Sequence, residues 1–134
     1  DLGHRSAGYT GTALAPMKDY LKKSIKGTLL AADKLNVDIL VGIYHNDHRE
    51  FSGHEAAWNF KVANYMELLG ESMGLNQPDI FKQFKLMGDV DAIIEASSEL
   101  ISQHDLDVET LREVIIQDML DDQQLPVEKS QHPQ

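Results

Sequence analysis

Between Ile43 and Glu55 the chain reads IYHNDHREFSGHE, which gathers three of its six histidines, His45, His48 and His54, with Asp47, Arg49, Glu50 and Glu55. Neutral imidazole and carboxylate are ligands for zinc or ferrous iron. His45 and His48 stand three apart with Asp47 between them, and His54 follows six residues on. One loop of that composition could supply three ligands from His45, Asp47, His48 and His54, with His4 as a further candidate. Glu50 or Glu55 would then be the base acting on a metal-bound water. The spacing is not the helical i, i+4 histidine pair of a zinc peptidase. The same residues also read as a polar loop whose histidines cap helices and bond backbone carbonyls. Arg49 and Glu50 invite a local ion pair, worth less than about 1 kcal/mol if exposed.

No nucleophile elbow, phosphate-binding loop or catalytic triad is visible, so no catalytic residue is assigned. Gly3–Gly11 contains three glycines without the spacing of a dinucleotide fingerprint. The chain has no cysteine, which removes disulfides and thiolate-held metals. Its 134 residues correspond to one domain or a piece of one. A formal net charge of -10 argues against nucleic acid and anionic membrane as partners. No apolar run approaches the roughly 18 residues of a membrane span, and no export signal is seen, so a cytoplasmic location is expected.

The elements that must position the histidine-rich stretch follow from periodicity. A helix is expected from about Pro16 to Asn36, with Met17, Leu21, Ile25, Thr28 and Ala32 on one face and Tyr20, Ser24 and Leu29 beside it. Val37–Tyr44 is β-branched and nearly continuous in apolar character, as in a strand buried on both faces. No second strand of similar quality is visible. Since a buried strand needs neighbours for its backbone groups, and the chain starts at Asp1 rather than Met, it is expected to be a piece of a longer protein.

A helix over Ala56–Gly74 follows, opened by a capping box of Ser52 and Glu55. Its core stripe would be Ala56, Phe60, Ala63, Met66, Leu69 and Met73. Pro78 and Asp79 open a helix to residue 103, with a kink at Gly88, and Asp107 caps a last helix over 108–122 whose acidic face is solvated. Residues 123–134 read as a disordered tail.

The stretches DILVGIYHNDHREFSGHE and NYMELLGESMG resemble the second half of the CCG-type cysteine-rich domain found in heterodisulfide reductases and related iron–sulfur electron-transfer proteins. The resemblance covers residues 1–75; residues 76–122 resemble the C-terminal helical extension of some relatives. It implies a helix-rich α/β chain forming the C-terminal half of a Rossmann-like cysteine-rich domain: helix, buried strand, then three helices. In the family a Cys-Cys-Gly and a Cys-x-x-Cys hold an iron–sulfur cluster. Here Asp1 and Leu2 occupy the first places, Tyr44 and Asp47 the second, and His48, Arg49 and Glu50 match the loop framework. Oxygen donors and a leucine do not replace thiolates as a set.

The resemblance therefore implies a cluster-less relative without a cofactor, acting as a subunit or assembly domain of a redox complex in sulfur or thiol metabolism. Its partners would be other subunits, the missing sheet strands, or copies of itself. The alternatives are a module binding Zn or Fe through the histidines and Asp47, and a helical scaffold whose acidic last helix docks a basic partner.

Overall fold

A computed structural model describes residues 2–3, 17–121 and 123–132. In chain order it contains α1 (Lys18–Lys34), β1 (Ile39–Gly42), α2 (His45–Phe51), a 3-10 turn (Ser52–Ala56) and β2 (Lys61–Asn64). There follow α3 (Tyr65–Ser72), α4 (Ile80–Met87), α5 (Val90–Ala96), α6 (Ser98–Gln103), α7 (Val108–Ile115) and a π turn (Ile116–Leu120). The architecture is α/β, rich in helix, with one small sheet among the described residues.

β1 and β2 run parallel, with Leu40 opposite Val62 and Gly42 opposite Asn64. Parallel neighbours need a crossover of a dozen or more residues, which residues 43–60 supply through α2 and the 3-10 turn. On the inner face Leu40 and Val62 join Ile25, Leu29 and Ala32 of α1, with Phe51, Trp58, Phe60 and Leu125, in one buried cluster. Ser24, Ile25, Thr28, Leu29 and Ala32 recur at i, i+4 and i+5, so they form the stripe by which α1 covers the sheet. A smaller contact buries Ile93 of α5 and Ile115 of α7, bridged at its rim by Arg112 and Asp91 at 2.6 Å.

Side chains and turns set most helix ends. Asn64 and Glu67 make a capping box at α3, while Asp79, Asp89 and Asp107 cap α4, α5 and α7 by accepting from a backbone N–H three residues on. Three C-termini close in the Schellman pattern, with the residue past the cap left-handed: Asn36 (φ 49), Gly74 (φ 79) and Asp105 (φ 50). After each, an N–H returns to the carbonyl five residues back: Val37 to Ala32 at 3.3 Å, Leu75 to Gly70 at 2.9 Å and Leu106 to Ile101 at 3.0 Å.

Several expectations are corrected. The strand is four residues rather than Val37–Tyr44, and it is buried on one face only, with Ile39 and Val41 exposed. Its neighbour β2 lies inside the chain, in place of the first half of the helix expected over Ala56–Gly74, of which only α3 (Tyr65–Ser72) is α-helical. Trp58, Phe60 and Val62 alternate into the core at strand period, and pairing with β2 satisfies the backbone groups along one edge of β1, so tertiary context overrides the helical spacing. Ser52 and Glu55 form no capping box: Ser52 Oγ donates to the His48 carbonyl at 2.5 Å, and Glu55 accepts from the Val62 N–H at 2.8 Å. Of the expected stripe, Phe60 and Ala63 are buried whereas Met66, Leu69 and Met73 are exposed.

The helix expected over 79–103 is interrupted at Gly88, left-handed at φ 63, and again at Ser97, giving α4, α5 and α6. The last helix ends its α-helical part at Ile115. Residues 123–132, expected as a disordered tail, lie against the core, with Leu125 buried. Asp1, His4, Pro16 and most of the glycine-rich stretch lie outside the described residues.

The left-handed caps make opposite predictions. Gly74→Ala is expected to destabilise by about 1 kcal/mol, because a Cβ is strained there. Asp105→Gly is expected to stabilise by roughly 0.5 kcal/mol through relief of the same strain. Urea midpoints moving in opposite directions at unchanged slope would bear this out; a shift of the same sign in both would not.

Candidate functional site

The histidine-rich stretch sits at the carboxyl end of β1. Tyr44, extended at φ -95 and ψ 147, precedes the first residue of α2. A Cβ on Gly42 would lie 3.5 Å from both Asp47 Cβ and the His48 nitrogen, so the first turn of α2 closes directly over the strand end. Asp47, His48 and Phe51 fall on the inward face of this helix, while Tyr44 and His45 are exposed. The sequence therefore divides its ligand-grade residues between core and solvent by helical phase.

His48 Nε2 is 2.5 Å from Asp79 Oδ2, with the ring buried and the carboxylate largely so. The carboxylate accepts, hence Nε2–H donates. The other oxygen of Asp79 accepts from the Lys82 N–H at 2.9 Å. One carboxylate thus caps α4 and ties it to α2. Such a pair could orient an imidazole base, but His48 Nδ1 is itself buried and has no hydrogen-bond partner among the described residues. The geometry fastens two helices. Nearby, Lys85 donates to the Arg49 carbonyl, and Arg49 donates to the Asp118 carbonyl at 2.5 Å. Both cations lie near the Phe81 ring, at 5.8 and 5.7 Å from its centre.

A second group surrounds the fully buried His54. Its Nε2 is 3.1 Å from the Gln123 amide nitrogen, which as placed donates to the ring, and 3.8 Å from Glu50. Glu50 accepts the Gln124 N–H with both oxygens, at 3.1 and 3.3 Å. Trp58 donates to the Val127 carbonyl at 3.3 Å, and the His132 ring lies 5.8 Å from the Trp58 ring and 5.9 Å from that of His54. Since a carbonyl can only accept, His132 donates from Nε2 to Pro126 at 2.8 Å. Lys129 meets Asp33 of α1 at 2.5 Å. Residues 123–132 thus form a strap, held by Leu125 in the core and polar contacts on either side.

Of the expected metal ligands, the described ones, His45, Asp47, His48 and His54, do not converge. His48 is directed at Asp79, and His54 at Gln123 and Glu50, while His45 is exposed and its ring lies 6.3 Å from Phe81. Among the described residues no group of three or more His, Asp or Glu side chains is placed to hold a metal ion. The positions that the resemblance sets against cluster ligands do not fit an iron–sulfur cluster either. Leu2 packs against the hydrophobic core, Tyr44 is exposed, Asp47 is buried on the inward face of α2, and Asp1 lies outside the described residues. Of the loop framework, His48 reaches α4, Arg49 the π turn and Glu50 the strap.

Asp79, Gln123, Lys85 and Trp58 are the partners that sequence reading missed in this role. Asp79 and His48 are 31 positions apart and Gln123 and His54 are 69 apart, so no local spacing signals either pair. The Asp79 cap was legible; its second bond was not. No protein-family model matches the chain, and no curated protein and no solved structure matches it.

The strap and the histidines can each be tested by substitution. A Cβ on Gly53 would fall 2.5 Å from Gln123 Oε1, the movable end of a side chain. Gly53→Ala should therefore displace Gln123 at little global cost and speed hydrogen exchange at the Gln124 amide while α1 amides keep their rates. Leu125→Ala should lower global stability by about 2–3 kcal/mol if the strap stays docked over the cavity. Unchanged Gln124 exchange in the first variant would refute the latch. For metal, calorimetric zinc titration should show no binding that His45→Ala with His48→Ala removes; stoichiometric binding lost in that double variant would restore the histidine site.

Proposed function

We propose that this chain is a cluster-less relative of the CCG-type cysteine-rich domain, working as a subunit or assembly domain of a redox complex in sulfur or thiol metabolism. The observation that carries the assembly part is the outer face of β1. Ile39, Val41, Ile43 and Tyr44 are all large, apolar or aromatic, and exposed at one sheet face and strand end. A sheet of two four-residue strands is marginal by itself, and clustered exposed apolar residues mark interaction surfaces. The kinship part rests on DILVGIYHNDHREFSGHE and NYMELLGESMG. The first of these spans the carboxyl end of a parallel strand, where ligands bind in open α/β sheets. The Rossmann-like character of the parent domain belongs to this proposal.

Two measurements test the two parts separately. After anaerobic reconstitution with ferrous iron and sulfide, the chain is expected to carry neither stoichiometric iron nor acid-labile sulfide; a full cluster bound to this chain would remove the cluster-less reading. In sedimentation, the chain alone is expected to associate with rising concentration, and Val41→Lys with Ile43→Lys to suppress that association. A monomer with sharp, cooperative unfolding, indifferent to those substitutions, would remove the assembly reading.

A further inference from the structure

We propose that the groove beside α3 is a docking site for a basic amphipathic helix supplied by another protein. Its walls are the outward stripe of α3 and the return turn that follows: Met66, Leu69, Met73 and Leu75 line it, with Glu67 and Glu71 beside them. These four apolar side chains are 46 to 69% exposed. Met66, Leu69 and Met73 stand at helical spacing on an element whose N-terminus is fixed by a capping box and whose C-terminus is fixed by Gly74 in the left-handed region, and Leu75 follows in the return turn. The Leu75 N–H returns to the Gly70 carbonyl at 2.9 Å. A Cβ on Gly70 would lie 3.5 Å from the Leu75 carbonyl oxygen, so the turn lies close against the helix. The groove is therefore preformed, and little ordering entropy opposes its filling.

Two features select the occupant. Methionines offer a soft, adaptable apolar surface that suits the side chains of an inserted helix. Charge then decides between partners. From Val62 to Phe81 the chain contains Glu67, Glu71 and Asp79 and no Lys, Arg or His. Asp79 is occupied by His48; Glu67, whose carboxylate also accepts the Asn64 N–H of the capping box, borders the groove with Glu71. A second copy seated face to face would bring two such acidic pairs together in a chain whose net charge is already -10, and an anionic membrane would be repelled likewise. A helix with apolar residues at i, i+3, i+4 and i+7 flanked by Lys or Arg matches both floor and rim. The groove is distinct from the β1 face, and its occupant does not depend on the redox-complex reading.

The test is fluorescence anisotropy with a labelled peptide of about 18 residues, leucine on one helical face and lysine on the other, long enough to form a helix when docked. One control replaces every lysine by glutamate; the other keeps the composition but scatters the leucines. Saturable binding of the first peptide is expected, about tenfold tighter than either control and weakening as salt rises. Leu69→Gln with Met73→Gln is expected to weaken it about tenfold, and these exposed positions should leave the circular dichroism unchanged. Glu71→Lys, on the exposed rim, should weaken binding of the lysine peptide and strengthen that of the glutamate peptide, which keeps the proposal testable even if the double variant misfolds. Equal binding of lysine and glutamate peptides, no saturable binding, or indifference to all three substitutions would overturn it. Self-association removed by Leu69→Gln with Met73→Gln, but not by the β1 substitutions, would instead assign the groove to a second copy.

Discussion

The carboxylate of Asp79, shared between the His48 ring and the first turn of α4, is the contact on which the arrangement around the sheet turns. Hydrogen bonds to a charged acceptor are the stronger kind, and a largely buried one is costly to leave unmade. Through it α2 and α4 hold a fixed relation. Lys85 of α4 can then reach the Arg49 carbonyl, near the C-terminal end of α2, where the helix dipole favours a cation. Arg49 in turn reaches the π turn, and Glu50 reaches the strap. Seven residues of helix thereby hold elements drawn from the whole second half of the chain. The small core shared by Ile93 and Ile115 is a poor substitute, since its bridging Arg112–Asp91 pair is largely exposed and worth little.

This changes what the histidines are for. In an open loop, imidazoles near carboxylates are available to a metal. Wound into a helix, the same residues are sorted by phase. His48 turns inward to a carboxylate from the N-terminus of α4, His45 turns outward, and His54, on the following 3-10 turn, is sealed beneath the strap. Each of the three buried imidazoles, His48, His54 and His132, commits Nε2 to a partner and leaves Nδ1 without one among the described residues. A polar ring can be buried when one strong contact offsets its desolvation, and the contacts of His48 and His54 also close long loops.

The parts of the fold legible in the sequence were those governed by local chemistry. α1 is readable from its stripe, Asp79 and Asp107 from their caps, Gly88 from its freedom at positive φ, and β1 from its β-branched run. β2 was not, because Phe60, Ala63, Met66 and Leu69 repeat as a helix would, while the competing alternation of Trp58, Phe60 and Val62 is only three residues long. What decides between them is β1's need for a hydrogen-bonded neighbour, which is a property of the pair. The strap was illegible for a related reason. QQLPVEKSQHPQ is polar and short, and only the pocket left by α1, Phe51 and Trp58 makes Leu125 a core residue.

The inward commitment of the histidines also shapes the surface. With Leu40, Phe60 and Val62 filling the inner face of the sheet, the other half of each periodic run is left outside: Ile39 and Val41 on β1, and Met66, Leu69 and Met73 on α3. The two exposed sets differ in their surroundings. The β1 face carries Lys61 opposite Ile39, so it presents mixed character and, among the described residues, an open backbone edge, which suits extension of the sheet. The α3 groove is framed by glutamates and already has its backbone satisfied by capping and the Schellman turn, so it can be covered only by side chains. The proposed strand at β1 and the proposed helix at α3 would therefore call on different chemistry, backbone pairing in the first case and side-chain packing in the second.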